Sequence, residues 1–211
     1  MKDIFIEAYR CIKKEELFII FIISIAMFIS IYFNKYIFLL FFTIILSGFY
    51  LEILKEGKRY NLITLLINGV KYIAWFLSLL FPIYLIFVIL PTIVLKYLNV
   101  PLIYTIIIVL LISFFPFLLI FFYFPIGEVD FAKFGFRAYL RMKELFKKMI
   151  NVKYILFITI LYLIYSLPAL ALIFIFINKW FTIFLFILAN NLIYLYCKKA
   201  ELLYYKREVE V

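Results

Sequence analysis

The chain has 211 residues, is 69% hydrophobic and 23% aromatic, and carries a net charge of +10 at a mean hydropathy of +1.18. A soluble domain is about half apolar, so this chain holds more oil than a core of its size can hide and reads as an integral membrane protein. It contains no histidine, which excludes imidazole-ligated metals and Ser-His or Cys-His nucleophilic chemistry.

In chain order, a polar, helix-compatible segment, Lys2–Glu16, comes first. No small-residue cleavage site follows the first apolar run, so no cleavable signal is expected. Six apolar runs then stand out: Leu17–Phe33, Tyr36–Leu51, Tyr72–Leu95, Leu102–Pro125, Tyr154–Asn178 and Trp180–Cys197. Their apolar character is continuous, whereas a barrel strand alternates, so helices are predicted. The first two and the last span only 16 to 18 residues. A crossing needs about 20, so their ends are expected to extend through snorkelling or aromatic residues. Asn34-Lys35, Lys96–Pro101 and Asn178-Lys179 are short connections, and the others are long and charged. The predicted fold is all-α: a polytopic membrane protein with six transmembrane helices in three hairpins and interfacial amphipathic helices on the cytoplasmic side.

The basic residues divide along the same lines. The N-terminal segment, the second-to-third connection and the C-terminal tail hold four Lys or Arg each, the fourth-to-fifth connection holds seven, and each short turn holds one. The positive-inside rule then places both termini in the cytoplasm. Abundant Ile, Phe, Tyr, Lys and Glu, with no Gln, suits the plasma membrane of a heat-adapted prokaryote. Cys11 and Cys197 lack metal-ligand spacing and read as small apolar residues in a reducing compartment. No cofactor is expected.

A weak repeat runs through this pattern. "YFNKYIFLLFF" at 32–42 resembles "FINKWFTIFLF" at 176–186, and polar segments Lys2–Glu16, Tyr60–Val70 and Phe131–Ile150 each precede a hairpin. The chain reads as one membrane domain over 1–211, with repeat units 1–51, 52–125 and 126–197 and a cytoplasmic tail at 198–211. Chance similarity in low-diversity apolar sequence is the competing account.

Phe131–Ile150 is the largest polar segment. Wound as a helix, it places Phe131, Phe134, Ala138, Tyr139, Met142, Leu145, Phe146, Met149 and Ile150 on one side. Lys133, Arg137, Arg141, Lys143, Glu144, Lys147 and Lys148 fall on the other, with Phe136 and Leu140 out of place. Such a helix suits the headgroup plane, with Asp130 as N-cap and Asn151 as C-terminal stop. Topology explains its charges first. Lys133, Arg137, Arg141, Lys143, Lys147 and Lys148 are also candidate contacts for anionic headgroups or for an acidic protein partner. Nucleic acid is not an expected partner, because topology already accounts for the net charge.

Reactive groups are sparse within the spans. Glu52 ends the second run beside Lys55, where an interfacial ion pair is the first reading and a substrate or proton contact the second. Asn190 and Asn191 are adjacent and point in different directions on a helix, so one is expected to bond across a helix interface. Pro82, Pro91, Pro116 and Pro168 can kink the third to fifth spans. Small residues at Ala26, Ser30, Ser47, Gly48, Ala74, Ser78, Ala169, Ala171 and Ala189 mark close contacts in all spans but the fourth, which is expected to be the most lipid-exposed. Glu128 and Asp130 are close in sequence, and a headgroup-level cap explains them. No nucleotide or zinc-protease motif occurs.

"SGFYLEILKEGK", "LLINGVKYI" and "FFYFPIGEVDFAKFGFRAYLRMKELFKKMINVKYILFITI" resemble an uncharacterised family of archaeal and bacterial multi-pass membrane proteins, a domain of unknown function. The resemblance rests on Gly48-Phe49 (where the family usually has tyrosine after the glycine), Pro125 before an amphipathic segment, and Tyr154-Ile155 opening the next span. The family is similar in style to membrane domains found beside glycerophosphodiesterases. The resemblance implies a six-span fold and carries over no catalytic residue. The expected function is a non-enzymatic membrane-organising or accessory role through a basic cytoplasmic face. The alternative is a permease for small solutes or lipids, with a cavity between proline-kinked helices lined by Asn190 or Asn191 with Ser166 or Thr159. An embedded enzyme is the least supported.

Overall fold

The computed structural model describes residues 2–57, 60–97, 101–170 and 178–209, and among these it is helical with no strand. The helices are α1 (Lys2–Arg10), α2 (Lys14–Tyr32), α3 (Tyr36–Leu54), α4 (Leu62–Tyr97), α5 (Leu102–Phe134), α6 (Ala138–Met149), α7 (Val152–Ser166) and α8 (Lys179–Tyr204). Lys58, Arg59, Ala171 and residues 98–100 of the second short turn, all used in reading the sequence, lie outside the described residues. Five helical stretches are long and apolar enough to cross a membrane: Lys14–Tyr32, Tyr36–Leu54, Leu62–Pro82, Val152–Leu170 and Lys179–Val209. The corresponding apolar stretch of α5 is the shorter Leu102–Ile112.

Local chemistry sets the helix ends. Asn34 turns the chain between α2 and α3 at a φ of 54°, a left-handed conformation that asparagine tolerates. The Asn151 and Asn178 side chains accept the backbone N–H of Tyr154 and Phe181 and so cap α7 and α8. Asn151 therefore starts a helix. It also closes the preceding turn, by donating to the Lys148 carbonyl at 3.1 Å.

The predicted span end at Pro125 and the single helix over Phe131–Ile150 are both corrected. α5 runs through Pro125 to Phe134. A helical proline lacks an N–H and orphans the carbonyl four residues earlier. Here that is Phe121, and its carbonyl accepts the Tyr162 hydroxyl at 2.9 Å; the next carbonyl, of Phe122, accepts Tyr154. Two tyrosines of α7 thus stabilise the helix where a proline would otherwise end it. The break comes instead at Gly135, at a φ of 60° that favours glycine, followed by a short 3₁₀ turn into α6. Asp130 is consequently buried inside α5 and caps nothing. The second polar segment forms no separate helix either, since Asn61 bonds the Ile63 N–H and α4 runs on unbroken from Leu62.

The core lies at one end. It takes the last half of α3, the first half of α4, the stretch Tyr123–Ala132 of α5, the first three turns of α7 and the last half of α8, with Ile4 and Ala8 of α1 set against them. α3 and α4 meet backbone to backbone. A Cβ at Gly48 would lie 1.8 Å from the Leu65 carbonyl oxygen, and one at Gly69 would lie 1.9 Å from that of Ile44. Gly48 was legible as a small contact residue; its partner Gly69 was not singled out. The fourth apolar run divides, with one half of α5 exposed and the other packed. Leu102–Ile112 is largely exposed, whereas Tyr123–Ala132 is among the most buried stretches.

Candidate functional site

The densest polar chemistry sits inside the packed end. α8 continues past Cys197, so Lys198, read from sequence as the first residue of a solvated tail, is fully buried. Its ammonium donates to Glu128 of α5 and, at 2.9 Å, to Glu201 one turn further along α8. The other oxygen of Glu201 accepts the Tyr165 hydroxyl at 2.9 Å. Aromatic faces close the rest of the shell: the ammonium lies 4.4 Å from the Tyr194 ring centre and 5.5 Å from that of Phe124. Among the described residues, the second oxygen of Glu128 is buried with no hydrogen-bond partner. Two buried carboxylates thus share one buried ammonium. Removing the ammonium would leave two buried carboxylates with no counter-charge. At 1.5 Å per residue, Lys198 stands about 28 Å along α8 from Lys179, against a hydrocarbon thickness of about 30 Å. Lys198 thus stands toward the far end of the apolar length of α8, not at its middle.

A second cluster joins α5 to α6 and to the chain end. The Asp130 carboxylate accepts Arg141 at 2.8 Å and the Tyr205 hydroxyl at 2.5 Å. Burial pushes its carboxyl above the ordinary range, against the opposing pull of the Tyr205 hydrogen bond, Arg141 and Lys133. A third cluster joins α3 to α4. Glu52 lies 3.5 Å from Lys55, and Asn68 bridges them, donating to Glu52 and accepting from Lys55 at 3.0 Å.

These contacts sort the candidate residues of the basic segment. Arg141 is held by Asp130 and lies over the Phe134 ring at 4.2 Å. Lys133 lies 4.7 Å from the Tyr205 ring centre, and Lys148 donates to the Val209 carbonyl. Arg137, Lys143 and Lys147 remain exposed. The predicted lipid-facing side of this segment is also corrected. Phe131, Ala138, Leu145 and Met149 are buried, because α5, running beyond its expected end, gives α6 a protein wall to pack on. Phe136 and Leu140, which did not fit the helical wheel, are exposed, Leu140 at 85%.

Of the asparagine pair, Asn191 is buried and Asn190 exposed. Asn191 donates to Ser24 of α2 at 3.0 Å, and its carbonyl accepts Tyr50 of α3 at 2.9 Å, so it ties three helices. Thr159 and Ser166 donate to carbonyls of their own helix at 2.8 and 2.7 Å. Among the described residues, no group of three or more Cys, Asp or Glu side chains could hold a metal ion.

Sequence reasoning missed the Lys198 cluster because it counted lysines by connection. The available signal was Lys198 and Glu201 at a helical spacing, directly after an apolar run with no turn residue between. Comparison with family models, with curated proteins and with solved structures returns no match.

Proposed function

We propose that this chain is a non-enzymatic, membrane-embedded organising or accessory protein that presents a basic face to anionic lipid or to an acidic partner. In this reading it crosses the plasma membrane of a prokaryote six times, as three hairpins with both termini cytoplasmic. It then belongs with the uncharacterised multi-pass proteins it resembles. The supporting observation is the surface of α6 and its flank: Arg137, Lys143 and Lys147 are exposed with no ion pair to a described residue, and exposed Phe136, Leu140 and Ile150 lie among them. Cations interleaved with exposed apolar side chains suit the headgroup boundary, where a ring or alkyl chain enters the acyl region and the charge meets phosphate.

The test is reconstitution in mixed neutral and anionic lipid, with enrichment of anionic lipid around the protein read by native mass spectrometry. Each basic residue near the surface contributes about 1 kcal/mol. Changing Arg137, Lys143 and Lys147 together to Glu should abolish enrichment at this face, and salt should weaken it in the parent. Enrichment that ignores both the triple change and ionic strength would refute the proposal.

A further inference from the structure

A cleft of about 510 Å³ opens at the packed end, between the α1–α2 junction, the end of α3 and the last turns of α8. Its wall carries Arg10, Lys13, Lys199 and Lys206 against two acids, Glu16 and Glu56. Both acids are already engaged. Glu16, buried, accepts Lys199 at 2.7 Å, the Tyr60 hydroxyl at 3.0 Å and the Lys13 N–H at 3.0 Å. Glu56 accepts Lys206 at 2.5 Å. Arg10 and Lys13 keep exposed side chains with no ion pair to a described residue. The described lining therefore has a formal surplus of two positive charges over a floor that includes buried Ile53 and Leu202.

We infer that this cleft binds a phosphate monoester, with Arg10 and Lys13 as its direct contacts and the apolar floor against the ester's organic part. A phosphate monoester carries close to two negative charges at neutral pH, which matches the surplus. An arginine fork and a lysine point charge are suited to its oxygens, and the volume falls in the usual range for a small-ligand site. The Lys199–Glu16–Tyr60 and Lys206–Glu56 contacts hold the walls in place without a ligand. The ester could be a soluble metabolite or the headgroup of a lipid such as phosphatidate.

Cys11 lies exposed on the cleft wall and gives a direct readout. The rate of maleimide modification of Cys11 would be measured on the full chain at chloride-matched ionic strength. One arm titrates glycerol 3-phosphate into protein in neutral detergent. The other compares phosphatidylcholine nanodiscs with and without phosphatidate. Slowing by glycerol 3-phosphate identifies a soluble ester, and slowing only by phosphatidate identifies a headgroup. The joint change Arg10→Gln and Lys13→Gln, both at the surface, should weaken the protecting ligand about tenfold or more, as expected for losing charge-assisted bonds. No slowing in either arm, or equal slowing in the double variant, overturns the site. The lipid arm rests on the proposed membrane placement and the detergent arm does not, and neither uses the α6 face, so failure here is separable from failure of that reading.

Discussion

The two ends of this bundle are built on different principles. At the basic end, helices from the whole chain converge, and polar bonds cross between them: α8 to α5 through Lys198 and Glu128, α8 to α2 through Lys199 and Glu16, and α8 to α1 through Tyr196 and the Phe5 carbonyl at 3.1 Å. At the short-turn end, among the described residues, Ile37, Phe38 and Leu40 of α3 and Ile103 and Leu111 of α5 are exposed, and contacts include aromatic pairs such as Tyr32 against Trp180, 4.8 Å between centres. Lipid can cover apolar side chains on a thin end, so that end needs little core. Polar side chains buried inside the other end are shut off from solvent. They must satisfy one another, which concentrates both packing and charge pairing there.

The sharpest way to break this contrast is Lys198→Ala, which leaves Glu128 and Glu201 buried without their shared counter-charge. We expect a loss of about 3–5 kcal/mol, seen as loss of a cooperative thermal transition in detergent. Exposed Ile37→Ala at the thin end should shift the transition by no more than about 0.5 kcal/mol. Next in size is Gly48→Ala, whose new methyl meets the Leu65 carbonyl. It should separate α3 from α4 at a cost of about 1–3 kcal/mol, and an inter-helix distance by spin-label pair would widen.

A smaller effect is expected at the asparagines. Asn191→Leu removes the bond to Ser24, worth about 0.6 kcal/mol on average for such contacts, and Asn190→Leu should leave the thermal midpoint unchanged. The smallest is a slope with pH. Burial raises the Asp130 carboxyl above its ordinary value of 3.8, so the folded chain holds that proton more tightly than the unfolded one. The stabilisation from this group is then complete below 3.8 and is lost as pH rises through the folded value. Asp130→Asn should flatten that part of the stability curve against pH, measured by thermal denaturation in steps of pH.

The helical class and the apolar stretches were legible because continuous oil of sufficient length has few other solutions. That one of Asn190 and Asn191 would bond across a helix interface was legible too, since one of two adjacent polar side chains in an apolar helix has to find a partner, but which one was not. Boundaries were not. Pro125 looks like an end when only its own helix is considered, yet Tyr162, distant in sequence, supplies the donor that the Phe121 carbonyl lacks. Once α5 was cut short, Asp130 became a cap and α6 lost its wall, so an interior apolar face was read as a lipid-facing one. Lys198 shows the same limit. Counting charges by connection treats every lysine as solvated, and only a partner on another helix distinguishes one that is not.

The most direct test of the account uses a reporter the chain already carries. Cys11 is exposed at the basic end and Cys197 is buried, so a membrane-impermeant maleimide reports on one position alone. Labelling of Cys11 in inverted membrane vesicles, and none in intact cells, is the predicted result. Labelling of Cys11 from outside an intact cell would put the packed, charged end on the wrong side and contradict the orientation on which the basic face depends.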